Sequence, residues 1–297
     1  MSHILCALLA WLRIFLFLLG LSVLWSPIAL SVYWPRGWLY GTSVAQSVAL
    51  ALLYIGFLIG LPFWGKQVHG WKHPFAWCGL RLDPQFFRDL GVALCIGVLG
   101  VFSLFGIETA LGWAQPSTPS PRLAFFVFEG LLVAIAIGFA EEMLFRGWIL
   151  AELEKGCAPM TALVMNALFF AAVHFIKPWD EILRSLPQFL GLVVLGMALV
   201  WARRSPTGSA GKRLTRLGYP MGLHAGLVWG YYIVNVGNLS AYTGKVPEWI
   251  TGIGDNPLAG LMGLLLLSLI AWPFSKQAKP KTVYADPVRT EPPEFNR

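Results

Sequence analysis

LAFFVFEGLLVAIAIGFAEEMLFRGWIL, residues 123–150, is an apolar run that ends on two adjacent glutamates, Glu141 and Glu142. About 20 residues of helix cross about 30 Å of hydrocarbon. The stretch therefore reads as a membrane helix that leaves the bilayer before it ends. A charge at the bilayer centre costs roughly 2.5–3.5 kcal/mol on insertion scales, so a glutamate pair there must be solvated, paired or used. Arg146 follows Glu142 by four residues, and one helical turn brings the two together. Glu141 lies about 100° round the helix and is left without that partner.

The rest of the chain supports a membrane setting. Of 297 residues, 57% are hydrophobic and 12% charged, and the mean hydropathy is +0.64. Soluble domains carry about twice that charge fraction. The 31 glycines, 14 tryptophans and 20 phenylalanines suit packed helices with aromatic belts at the interfaces. The net charge of +7 is spread over loops, so it reads as membrane topology and argues against a nucleic-acid partner. Cys6, Cys78, Cys95 and Cys157 form no CxxC pair and suggest neither a zinc site nor a disulfide framework. No basic residue precedes the first apolar run until Arg13, so a first membrane anchor is expected rather than a cleaved leader.

Eight helical spans follow from hydropathy, giving an all-α polytopic bundle. They are Ile14–Tyr33, Thr42–Phe63, Leu90–Trp113, Leu123–Leu150, Met160–Phe175, Leu186–Trp201, Tyr219–Val236 and Pro257–Trp272. Pro27 should kink the first. With eight spans, 16 Lys and Arg residues fall on the side of the termini and 5 on the other, Arg13 set aside. The positive-inside rule then puts both termini in the cytoplasm. The membrane domain takes up residues 1–275. The Pro-rich, charged tail 276–297 reads as disordered. Loop two, Gly65 to Asp89, mixes His69, Trp71, Lys72, His73 and Trp77, and reads as an interfacial segment at anionic headgroups.

Glu141 and Glu142 belong with two histidines in apolar surroundings, His174 in Phe170-Ala-Ala-Val-His174 and His224 in Gly222-Leu-His224. The turn Gly156-Cys157-Ala158-Pro159 joins spans four and five, since glycine ends a helix and proline opens one. Residues equally far from that turn lie at one level. The midpoint of 141 and 174 falls inside it, so both sit about 25 Å from the turn. Glu141 and His174 can therefore face each other, hold a water and deprotonate it. Arg146 keeps Glu142 ionised, and two glutamates in unlike environments suit two different tasks. His224 can donate to the oxyanion that attack on a peptide carbonyl creates. His224 lies near the start of its span, which sets the site towards the cytoplasmic face with the 156–159 turn projecting beyond the bilayer. The polar stretch Glu152-Leu-Glu154-Lys155 agrees with that depth; the apolar Trp148–Ala151 agrees less. Phe170 packs against the His174 ring. Glu108 and Glu129 are expected to be structural or cavity-lining, and Asn166, Gln188 and Asn235 to hydrogen-bond between helices.

At these residues the chain resembles the CAAX protease and bacteriocin-processing (CPBP) family of intramembrane proteases, which includes the Ras-converting CAAX endopeptidases. The pattern EExxxR, FxxxH and a later histidine motif stands here as Glu141-Glu142-Met-Leu-Phe-Arg146, Phe170-Ala-Ala-Val-His174, and His224 with Val228. The resemblance covers about residues 123–237. It implies an eight-helix fold and endoproteolysis, with Glu141 activating water, His174 assisting and His224 stabilising the oxyanion. CAAX-cleaving members carry asparagine four residues after the last histidine, where this chain has Val228; Asn235 is about 16 Å further along the helix, too far to replace it. The departure weighs against prenyl-CAAX cleavage more than against hydrolysis. Glu141, His174 and His224 can also ligate zinc, but the sequence has no HExxH helix and one water suffices, so no cofactor is required. The expected substrate is a peptide or membrane-associated protein. The alternatives are a non-catalytic membrane scaffold or immunity protein, and a proton-coupled transporter. The transporter fits less well because the polar groups cluster rather than form a path.

Overall fold

The computed structural model of the chain describes residues 3–34, 43–206 and 216–278. In chain order the long helices are α1 (His3–Tyr33), α2 (Ser43–His69), α4 (Pro84–Ala110) and α5 (Leu123–Glu142). A π-helical segment, Met143–Ile149, continues α5 into α6 (Leu150–Gly156). Then come α7 (Pro159–Val173), α9 (Phe189–Arg204), α10 (Gly218–Val236) and α12 (Leu261–Gln277). Short helices α3 (Pro74–Trp77), α8 (Trp179–Ser185) and α11 (Glu248–Thr251) cap the connections. Five of these helical stretches are long and apolar enough to cross a membrane, Leu123–Gly156 being the longest, and α7 and α12 are shorter apolar helices. The chain is an all-α membrane helix bundle.

The eight expected spans each correspond to a helix. Their bounds move for local chemical reasons. Asp83 caps α4 by accepting the Phe86 N–H, and Pro84 supplies its first turn, so α4 starts six residues earlier than hydropathy suggests. Pro27 lies inside an uninterrupted α1. Helix α12 runs to Gln277, and the rest of the expected tail, 279–297, lies outside the described residues, as does Cys6's side chain. Two three-residue strands, Ala114–Pro116 and Ser240–Tyr242, pair antiparallel with Ala114 opposite Tyr242. They tie the loop after α4 to the loop after α10, a pairing that three residues of pattern cannot announce.

Helix α10 packs on α4 and α5, α9 packs on α7 and α12, and α1 packs on α2 and α6. Close backbone approach makes the α10 contacts. A Cβ on Gly97 of α4 would come within 2.6 Å of the Leu227 nitrogen, and one on Gly138 of α5 within 2.9 Å of the Met221 carbonyl oxygen. Only glycine lets the helices this near, as small residues do in membrane bundles. The core is aromatic where α1, α2 and the π-helical segment meet: Phe17 stands 4.6 Å from Trp148 and 6.0 Å from Phe57. Leu24, Ile59 and Leu269 are among the large apolar side chains left outside, which suits a lipid-facing perimeter.

Loop two differs from a purely interfacial segment. Trp71 is buried, stacked 4.7 Å from His69 and 5.8 Å from Trp77, with the Lys155 ammonium 4.6 Å from its ring. The polar stretch after the glutamate pair is likewise not simply solvated. Glu152 is fully buried and accepts from Arg13 (2.8 Å) and Trp64 (3.0 Å), with His69 Nε2 at 2.6 Å. Glu154 pairs with Arg204 at 2.7 Å. A helix tip that looks exposed by composition is thus sheathed by α1, α2 and α9, because buried acids must find charged partners.

Candidate active site

Three elements bring the polar groups together. Glu141 and Glu142 close α5; His174 caps the C-terminus of α7; His224 lies two turns into α10. The Gly156–Pro159 turn folds α7 back along α5, as the equal spacing from that turn predicts. His174 Nε2 lies 3.8 Å from Glu141 Oε2, and His224 Nε2 lies 3.9 Å from the same oxygen. Both gaps exceed direct hydrogen-bonding distance, and they leave room for a small atom bridging the three groups.

The two glutamates sit in different surroundings. Glu142 and Arg146 are fully buried and joined at 2.9 Å. Glu142 Oε1 also meets His224 Nδ1 at 2.9 Å. Arg146 donates further to the Gly196 carbonyl (3.2 Å) and lies 4.2 Å from the Phe170 ring. Glu141, by contrast, is 31% exposed and lines a cavity, with its Oε2 buried and without a hydrogen-bond partner among the described residues. The unlike environments read from the i,i+4 spacing are therefore present. Asymmetry remains even within the buried pair: Glu142 Oε2 and Arg146 Nε have no hydrogen-bond partner among the described residues.

The histidines are oriented by neighbours that fix their protons. His174 Nδ1 is 2.7 Å from the Phe170 carbonyl oxygen. A carbonyl can only accept, so Nδ1 carries hydrogen, and in the neutral ring Nε2 offers its lone pair towards Glu141. Phe170 packs edge-on against both rings, 4.7 Å from His174 and 6.1 Å from His224. Thus Phe170 links Arg146 and both imidazoles. The π-helical segment adds a turn that sequence spacing does not reveal. The Leu150 N–H bonds to the Phe145 carbonyl five residues back, and the Asn166 amide donates to that same carbonyl at 2.8 Å. Segments of this kind recur at functional sites.

Glu141, His174 and His224 line a cavity of about 250 Å³ together with Phe170, Lys177, Gln188 and Val228. Gln188 thus faces the cavity, and Lys177 is a lining cation that hydropathy reading missed; its place three residues after His174 was the available signal. A second cavity of about 310 Å³, between α1, α2 and α5, reaches Glu141 from the other side and is walled by Leu18, Leu50, Tyr54 and Phe57 among others. Of the other polar expectations, Asn166 does bond across helices, but Asn235 donates to Tyr231 on its own helix. Four residues apart, those two are neighbours on one helix face, which makes the local bond the easier one. Glu129 accepts from Tyr232 at 2.8 Å, outside the site. Glu108 is fully buried and lines none of the cavities around Glu141.

Zinc needs its ligand atoms about 2.0–2.2 Å away, which sets tetrahedral neighbours roughly 3.3–3.6 Å apart. The 3.8 and 3.9 Å separations are wider, and among the described residues no group of three or more His, Cys, Asp or Glu side chains is disposed to hold a metal ion.

No curated protein and no solved structure matches the chain. Residues 123–243, which contain both glutamates, both histidines, Arg146 and Phe170, match the family described as type II CAAX prenyl endopeptidase Rce1-like. Through that segment the chain is similar to the CAAX protease and bacteriocin-processing family of membrane proteases.

Proposed function

We propose that the chain is an intramembrane endopeptidase that cuts peptide bonds with a water activated by Glu141. A water between Glu141 Oε2 and His174 Nε2 gives up a proton to the carboxylate while the imidazole lone pair holds its other hydrogen. The hydroxide attacks the peptide carbonyl carbon. Protonated Glu141 then returns the proton to the departing amine, so the carboxylate is regenerated.

His224 takes the oxyanion. Its Nδ1 is engaged by Glu142, so Nε2 can donate only if the His224–Glu142 pair holds one proton more than a neutral imidazole beside a carboxylate. That proton sits on His224 with Glu142 anionic, or Glu142 is protonated and donates to Nδ1; either way Nε2–H points into the cavity. Arg146 favours the first, because it stabilises the Glu142 anion. One oxyanion donor of this kind is worth roughly 10²–10³ in kcat. The meeting of Glu141 with both histidines, at 3.8 and 3.9 Å, carries this proposal.

The charge bias of the loops sets the scissile bond near the cytoplasmic face, with both termini in the cytoplasm. Substrates are peptides or tails of membrane-associated proteins. Val228 at the place of the family's asparagine supports one other reading, a membrane scaffold that keeps the fold without catalysis. Glu141→Ala separates the two. Glu141 is partly exposed and in no short ion pair, so the variant should fold and lose cleavage. Retained cleavage of a verified substrate refutes the mechanism; full complementation of a deletion strain by Glu141→Gln/His174→Ala supports the scaffold.

A further inference from the structure

We propose that the loop entering α4 binds the headgroup phosphate of an anionic phospholipid between Arg81 and Arg216, with Leu82 and Phe87 set among its acyl chains. The site is independent of peptide cleavage. Helix α4 has 27 residues, which makes it about 40 Å long. That length matches the hydrocarbon core plus its headgroup layers, about 40–45 Å. Arg81 stands three residues before the helix and so at headgroup depth. Leu82 and Phe87 flank the helix start and are 68% and 57% exposed. Exposed apolar side chains beside arginines suit a segment held by acyl chains and anionic headgroups together.

Three guanidiniums, those of Arg81, Arg203 and Arg216, meet at this loop. The acid beside them, Asp83, is already used: its Oδ2 accepts from Arg216 at 2.8 Å and its Oδ1 from the Phe86 N–H at 2.9 Å. Asp89, the next acid on α4, accepts from Gln85 and packs against Gly218. Arg203 is fully buried over Gly79, where a Cβ would come within 2.5 Å of its Nη2. Among the described residues Arg81 forms no ion pair. Burial and the Arg216 guanidinium, with a smaller push from Arg203, lower its pKa from the ordinary arginine value against the pull of Asp83. A bound anion relieves like charges held this close, and a phosphate matches the guanidinium fork. At this depth the phosphates within reach are those of lipid headgroups.

The loop is also tied to the helices around it. The Gly79 carbonyl accepts from the Leu217 N–H at 3.0 Å, just before α10. A Cβ on Gly218 would come within 2.6 Å of the Phe86 carbonyl oxygen, so the first turns of α4 and α10 are in backbone contact. On the other side Cys78 packs on the π-helical segment, 3.4 Å from where a Gly147 Cβ would stand. A lipid that bridges Arg81 and Arg216 therefore clamps loop two to α10 and stabilises the folded chain by mass action.

The test titrates the full chain in dodecyl maltoside with phosphatidylglycerol or phosphatidylcholine and counts bound lipids by native mass spectrometry. The wild type should hold phosphatidylglycerol about fivefold more tightly than phosphatidylcholine, and Arg81→Gln should lose about that factor, the effect of one basic residue at an anionic surface. Leu82→Ser leaves every arginine in place and removes a side chain that is mostly exposed; it should weaken phosphatidylglycerol binding about fivefold through lost apolar contact. Lys66→Gln, at an exposed lysine near the other end of loop two, should change nothing. Phosphatidylglycerol at about 100 times its Kd should raise the wild-type Tm by about 5 °C. Equal affinity for the two lipids, an unaffected Arg81→Gln, an unchanged Tm, or an equal loss in Lys66→Gln overturns the assignment. Displacement of the lipid by inorganic phosphate at equal concentration overturns it as well, because the site would then take free anions. If Arg81→Gln does not fold, Leu82→Ser decides: unchanged binding there refutes the site.

Discussion

Replacing Glu142 by glutamine should damage stability and catalysis together, and a second substitution should repair only the first. Glu142 holds two cations or potential cations through one oxygen: Arg146 at 2.9 Å and His224 at 2.9 Å. All of Glu142 and Arg146 is buried. In Glu142→Gln the Arg146 guanidinium stays buried with no counter-charge, left with the neutral amide oxygen of the new side chain, the Gly196 carbonyl and the Phe145 and Phe170 rings. Breaking one partner out of a buried ion pair costs about 3–5 kcal/mol, a fall in Tm on the order of 10 °C. The same change removes the anion that keeps the proton on His224, and kcat should fall by about 10²–10³. Replacing both members with groups of similar volume removes the orphaned charge, which is often neutral or stabilising. Glu142→Gln/Arg146→Met should therefore recover most of the lost Tm yet stay inactive. Thermal unfolding in detergent and cleavage of a fluorogenic peptide read the two effects, and the cycle isolates the pair energy. A single variant with wild-type kcat, or a double variant as unstable as the single, would refute the reasoning.

Three further outcomes are expected. Chelation by EDTA or 1,10-phenanthroline should leave cleavage within about twofold of the untreated rate, since the proposed mechanism needs only a water between Glu141 and His174; loss of activity restored by added zinc would show an ion at that position. Gly138→Ala should cost about 1–3 kcal/mol by overpacking, because its Cβ would press on the Met221 carbonyl, and should also lower kcat by moving His224 from Glu142; an unchanged Tm would mean that α5 and α10 are not so close. Burial raises the Asp83 carboxyl, but the Arg216 guanidinium and the Phe86 N–H outweigh it and hold the pKa below the usual carboxylate value. A depressed folded-state pKa contributes stability above the unfolded value, lost as pH falls through the folded one. Asp83→Ala should therefore lower Tm at pH 7, by a cap's worth of about 1 kcal/mol, and the gap to wild type should close as pH falls below the usual carboxylate range. A gap independent of pH would sink that assignment.

The site was legible to the extent that it is built from neighbours in sequence. Glu142 with Arg146 follows from the helical period, and Glu141 opposite His174 follows from counting back from the Gly156–Pro159 turn. Both use distances along one hairpin, where 1.5 Å per residue sets the level. The burial of Glu152 is not legible in the sequence because composition cannot say which long-range cation will come. Arg13, 139 positions away, and His69, 83 away, do so. Lys177 was passed over because a lysine in a short loop looks like a solvated charge until the fold places it in the wall of the cavity.

Hydropathy and spacing by themselves determined that this chain is a bundle of membrane helices and that one acid faces one imidazole. Those properties depend on transfer free energies and helical rise, which each residue carries with it. Tertiary structure alone decided that His224 stands between the two glutamates, that the helix after them widens into a π segment, and that an unpaired lysine joins the cavity. The rotation and closeness of helices distant in sequence come from how glycine faces such as Gly97 and Gly138 let α10 approach. That approach is a property of packed surfaces and not of any one segment.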